Sequence, residues 1–148
     1  APEIEAYALT FDNSDEEKQG NRLGMFTKVK NFNYSPAGSG NFDIADIPQE
    51  AFIQAIHIKS ANGNILNCEL KVEGNVAWDG PTSRMQNVVN DAGRVAQANW
   101  YHIDYMLKNE TGGQLPVQGL LDFRLRLDMS GADDLVVYVE YLSGFDGM

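Results

Sequence analysis

Leu120–Asp128 reads LLDFRLRLD, and within it Leu121, Phe123, Leu125 and Leu127 alternate with Asp122, Arg124, Arg126 and Asp128. A period of two is that of a β-strand with one face buried and the other in water. The same alternation recurs on both sides of this stretch. Leu66, Cys68, Leu70 and Val72 alternate with Asn67, Glu69 and Lys71, and Tyr101, Ile103, Tyr105 and Leu107 with His102, Asp104 and Met106. Phe52, Ile56 and Ile58 read as one face of a further strand, with Ile53, Ala55 and His57 opposite. Leu135–Leu142 (LVVYVEYL) is apolar, β-branched or aromatic almost throughout, which suits a central strand. Strands are also expected over Ile4–Phe11 and Phe26–Tyr34. The quartets beginning at Leu66 and Leu121 are both predicted to point into the core.

Asn62-Gly63-Asn64 reads as a tight hairpin turn, because Asn-Gly readily supplies positive φ. Ser130–Asp134 separates the last two strands in the same way. Pro36–Gly40 (PAGSG) and Asn109–Gly119 are loops. One segment breaks the β pattern. Met85, Val88 and Val89 stand at helical spacing between Pro81, suited to a first turn, and Gly93, suited to a stop. A short helix is predicted over about 82–91. Seven or eight short strands with one inserted helix give an all-β chain, a sandwich or jelly roll of two antiparallel sheets. Asp12–Arg22 is the most polar stretch, so residues 1–22 read as a strand plus acidic linker and 23–148 as one domain.

Eleven Lys and Arg stand against twenty-one Asp and Glu, a net charge of −10 over 148 residues. Such a chain is ill-suited to gripping nucleic acid or an anionic membrane over a broad face. Cys68 is the sole cysteine, so neither an internal disulfide nor a cysteine zinc cage is available. No apolar run reaches the roughly 18 residues that span a bilayer. Glu3 and Glu5 sit where a secretory leader would be apolar, so none is expected.

Chemistry is hard to place on these residues. His57 and His102 are far apart in sequence, whereas a cupin-type metal site needs two histidines two apart on one strand. Both read as hydrogen-bonded sheet-face histidines, and Cys68 as a small core residue. No nucleophile elbow or phosphate loop is present, and nothing singles out a catalytic carboxylate pair. Calcium is the cofactor to consider. Asp43, Asp46 and Glu50 cluster in sequence, as do Asp12, Asp15, Glu16 and Glu17, and Asp133 with Asp134, but none has EF-hand spacing. Trp78, Trp100 and Tyr34 at loop rims would serve a carbohydrate-binding sandwich of a spike or receptor-binding protein, the alternative function.

In order along the chain, Phe42–Ala61 (FDIADIPQEAFIQAIHIKSA), Trp100–Leu107 (WYHIDYML), Leu120–Asp128 and Leu135–Leu142 resemble strands of the second barrel of corticovirus major capsid proteins. These build tailless, membrane-containing icosahedral bacteriophages. The likeness spans roughly Phe26–Leu142 and is weakest over the helix. It implies a viral jelly roll of two four-stranded sheets without enzymatic activity. It further implies a place in the capsid shell of the virion, and self-association into trimeric, pseudo-hexameric capsomers beside other virion proteins. The membrane would lie nearby without insertion, and the genome beneath it, out of direct contact. Only one barrel fits in this length. Glu3–Phe11 is similar to the closing strand of a preceding barrel, so the chain is either the latter part of a double-barrel protein or a single-barrel coat protein. Arg124 and Arg126 are candidates for pairing across a subunit seam or within the sheet, and Trp100 and His102 for subunit contact.

Overall fold

Alternating burial builds the barrel. In the computed structural model, which describes residues 25–107 and 113–144, nine strands and one helix follow in order. They are β1 (Phe26–Tyr34), β2 (Gly40–Ile44), β3 (Phe52–Ser60), β4 (Ile65–Val72), β5 (Asn75–Pro81), α1 (Thr82–Asp91), β6 (Trp100–Asp104), β7 (Leu115–Pro116), β8 (Phe123–Met129) and β9 (Leu135–Ser143). The first sheet has the order β1-β9-β3-β6, with the short β7 also on β3; the second is β2-β8-β4-β5. All pairings are antiparallel. Successive strands pass from one sheet to the other at β1–β2, β2–β3, β3–β4, β7–β8 and β8–β9, and the helix lies on the crossing from β5 to β6. This is a jelly roll. The expected strand over Ile4–Phe11, the Asp12–Arg22 linker and the 22/23 boundary lie outside the described residues.

The sheets meet along one apolar layer. Leu125 and Leu127 of β8 with Cys68 and Leu70 of β4 form the second sheet's inner face. Val137, Val139 and Tyr141 of β9, Ile56 and Ile58 of β3, and Tyr101 and Ile103 of β6 supply the first sheet's. β9 is central, between β1 and β3, as its apolar run required. The helix spans the residues expected. It buries Met85 and Val89 one turn apart and ends in a Schellman motif, with Arg94 N–H on the Val89 carbonyl, Gly93 N–H on the Asn90 carbonyl, and Gly93 at φ 77°.

Three inner-face assignments shift by a residue or more. Leu66 is 50% exposed because the pairing with β8 skips it: Ile65 pairs with Met129, Asn67 with Asp128, and Ile65 takes the core position. Leu121 is 95% exposed and precedes β8. The Leu121 and Asp122 amides are instead bonded to the Glu73 carboxylate. Phe52 lies on the face opposite Ile56 and Ile58, because the register with β9 skips Gln54 and returns Ile53 to the inside. β6 also stops at Asp104, short of Tyr105 and Leu107. The Asp104 carboxylate accepts from the Met106 amide at 2.7 Å and turns the chain.

Asn62-Gly63-Asn64 does turn tightly, with Gly63 at φ 78°, but it is not a hairpin: β3 and β4 belong to different sheets. The same holds for Ser130–Asp134. The positive φ favours glycine there, and a Cβ on Gly63 would stand 2.6 Å from Asn99 Oδ1, displacing that exposed side chain. The hairpin within the second sheet is β4–β5, whose Glu73-Gly74 turn has φ of 51° and 76°, as a type I′ turn demands.

Asp133 binds the two crossings to each other. It is 5% exposed. Its carboxylate accepts from Ser60 Oγ, from the amides of Asn62 (3.0 Å) and Asn64 (3.2 Å), and from the Asp134 amide (2.8 Å). Its own amide donates to the Pro36 carbonyl at 3.1 Å, so the β1–β2 loop joins them. Burial raises the Asp133 pKa, but those hydrogen bonds outweigh it and hold the carboxyl below the usual aspartate range.

Leu125→Ala should cost about 2–5 kcal/mol of stability, whereas Leu121→Ala should change it by less than about 0.5 kcal/mol, both read from urea midpoints. Asp133→Ala should cost about 2–4 kcal/mol, because four donors lose a buried charged acceptor.

Candidate assembly surfaces

With the inner faces consumed by the core, the sheets present their outer faces, and the two differ in chemistry. On the first sheet, the W-Y-H-I-D alternation of β6 sends Tyr101 and Ile103 inward and Trp100, His102 and Asp104 outward. On β9 the alternation sends Val136, Tyr138 and Glu140 outward. Register does the rest. Asn31 pairs with Tyr138, Tyr138 with His57 and His57 with His102, forming one rung across four strands. Trp100 stacks on Tyr138 (centroids 5.8 Å apart, 24° between planes) and on His102 (5.8 Å, 11°). His57 Nδ1 lies 2.8 Å from His102 Nδ1, and His57 Nε2 lies 3.4 Å from Glu140 Oε1. Asp104, on the same face as His102, is held by Arg94 at 2.7 Å. Tyr138 and the histidine couple were absent from the sequence reading. The outward alternation of β9 was the available signal for the tyrosine, whereas the couple required the β3–β6 register.

The second sheet's outer face is an ion-pair lattice. Asp43, Arg126, Glu69 and Asp79 form one rung across β2, β8, β4 and β5. Arg126 grips Asp43 with both arms, Nε to Oδ1 at 2.7 Å and Nη2 to Oδ2 at 3.0 Å, which holds the Asp43 carboxyl below its usual range. Arg124 reaches Asp122 at 3.3 Å, and Lys71 reaches Glu69 at 3.1 Å. Both arginines are therefore engaged within the sheet.

The structure disperses the three carboxylates considered for calcium. Asp43 is on Arg126, Asp46 accepts from the Tyr34 hydroxyl at 2.8 Å, and Glu50 is paired with Lys30 (2.6 Å) and Lys28 (3.4 Å). Among the described residues, no three or more His, Cys, Asp or Glu side chains are gathered to hold a metal ion. Trp78 is packed against the core with its Nε1–H on the Tyr101 hydroxyl at 2.8 Å, so it cannot join a sugar platform with Trp100. Cys68 is fully buried, which pushes its thiol pKa up. A cleft of about 220 Å³ beside Thr82, Gln86, Asn99 and Trp100 has no ionisable lining residue. Among the described residues, no helix is long and apolar enough to cross a membrane.

The viral coat protein P2 C-terminal domain family matches residues 26–145. The chain belongs to that family. Solved structures agree in fold. The chain is similar to the major capsid protein P2 of bacteriophage PM2, at 23% identity and a TM-score of 0.72 over 84% of this chain and 48% of that one. It is similar to the STIV MCP at 15% identity and a TM-score of 0.60, over 83% of this chain and 44% of that one. It is also similar to the PBCV-1 virus capsid, at 9% identity and 0.62, over 87% and 51%. The chain thus spans about half the length of each. No curated protein sequence matches it.

Burial of the His102 ring and the adjoining His57 hold its pKa well below the histidine range, at about 4, against the opposing pull of Asp104. The unfolded chain therefore takes up this proton first, and stability is lost as pH falls from about 6.5 towards 4. The ring is only half buried, so the loss should be on the order of 1 kcal/mol after solvent screening. Urea midpoints across that window should fall less steeply in His102→Gln than in the parent.

Proposed function

We propose that the chain is a jelly-roll building block of an icosahedral viral shell, acting by self-association into trimeric or pseudo-hexameric capsomers and not by catalysis. The observation that carries this is the family match over residues 26–145 on a barrel with the matching fold. The chemistry supports it. The apolar layer is spent internally, and the barrel presents two broad walls, one aromatic and one charged, for neighbours. Because the chain spans about half of its structural relatives, a capsomer of six barrels takes either six copies of it or three copies of a longer chain containing it.

The aromatic wall is the better candidate for subunit contact. Trp100, Tyr138 and His102 form a stacked, part-buried surface of the kind that anchors protein interfaces. Arg124 and Arg126 already have partners in their own sheet, so they would contribute register and orientation more than affinity. With a net charge of −10, direct contact with the genome is disfavoured, and a virion membrane would lie near the barrel without being penetrated. Other virion proteins are the remaining partners.

Light-scattering mass with electron microscopy of the purified chain tests this. Trimers, hexamers or ring-like particles of hexagonal outline are expected, with Trp100→Ala shifting the population towards monomer. A chain that stays monomeric at every concentration would contradict it.

A further inference from the structure

The histidine couple on the first sheet's outer wall is built in a way that a structural hydrogen bond does not require. His57 and His102 are directly paired residues of β3 and β6. Both turn the same nitrogen, Nδ1, towards one shared point, 2.8 Å apart. On its far side, His57 presents Nε2 to Glu140 at 3.4 Å. The tautomer with its proton on His57 Nε2, the side on which Glu140 lies, leaves the Nδ1 lone pair facing His102. The proton between the rings is then the one on His102 Nδ1. A carboxylate behind one imidazole nitrogen, with the other left unprotonated as an acceptor, is the arrangement that orients histidines on metals.

We propose that His57 and His102 form a two-histidine site for a borderline divalent cation of the Zn²⁺, Ni²⁺ or Cu²⁺ type. Metal–imidazole bonds of about 2.0–2.1 Å place two ligating nitrogens roughly 2.9–3.4 Å apart, for bite angles from about 90° to tetrahedral. The two nitrogens need to part by only a few tenths of an ångström, and each ring has to tilt so that its lone pair leaves the N···N line for the cation. The His102 proton moves from Nδ1 to Nε2 as the cation enters, so the neutral ring changes tautomer and releases none. Imidazole nitrogen selects these cations over Ca²⁺ and Mg²⁺, which prefer oxygen. Trp100, stacked on His102, fixes that ring from the side, and water fills the remaining positions. Two protein ligands give modest affinity, strengthened by the chain's negative charge.

Calorimetric titration of the tag-free chain with Zn²⁺ and with Ni²⁺, followed by histidine-ring NMR, tests the site. One cation per chain is expected, with both histidine spin systems shifting together. His57→Gln and His102→Gln should each abolish binding, and Glu140→Gln should weaken it by about tenfold. Ca²⁺ and Mg²⁺ should leave the histidine signals unmoved. Absence of saturable uptake at millimolar cation would overturn the proposal. So would uptake unchanged in His57→Gln, a substitution on the sheet's outer face, outside the apolar core.

Discussion

Two amphipathic sheets that bury each other constrain everything else in this molecule. Leu125, Leu127, Cys68 and Leu70 have no apolar partners within their own sheet sufficient to exclude water. They find them on the facing sheet, in Ile56, Ile58, Val137, Val139 and Tyr101. Because side chains alternate along a strand, sending these residues inward sends an equal number outward. The character of both walls follows from that division: Trp100, His102 and Tyr138 on one, Asp43, Arg126 and Glu69 on the other.

A sandwich held only by its apolar layer could slide, and this one is tied at the edge where its chain crosses. Asp133 gathers donors from the β3–β4 crossing, and its amide reaches the β1–β2 loop. At the other extreme of β4, Glu73 clamps the residues entering β8. The Asp133 tie fixes the sheets' relative position, and the Glu73 clamp fixes the start of β8 against β4 within its own sheet. A repeated shell contact needs that fidelity more than it needs a large area.

Much of the barrel was legible in period-two stripes, since alternation is a local property. The failures were local too, but their causes were distant. Leu66 and Phe52 kept their apolar character while bulges moved them off the inner face. Leu121 lost its strand position to Glu73, 48 residues away. Asn62-Gly63-Asn64 displayed hairpin chemistry, yet turn residues do not specify which sheet receives the next strand. β2, β5 and the two-residue β7, inside the expected loop at Asn109–Gly119, went unrecognised. β2 is five residues long, and Asn75, Val76 and Ala77 of β5 are all exposed on an edge strand, leaving little alternation to read. Of the candidate surface, Trp100 and His102 were legible as outward positions, but the His57–His102 contact exists only through the β3–β6 pairing. The acidic residues Asp43, Asp46 and Glu50 are close in sequence, but each carboxylate is held by a different partner.

The chain is a member of a coat-protein domain family, and the function proposed for it rests on walls and not on a pocket. A near-atomic electron-microscopy map of the assembled chain measures this most directly. The account predicts neighbouring barrels packed flank to flank, with Trp100 and Tyr138 covered by an adjacent copy. Barrels touching only through loops or chain ends, with both sheet walls facing solvent, would contradict it.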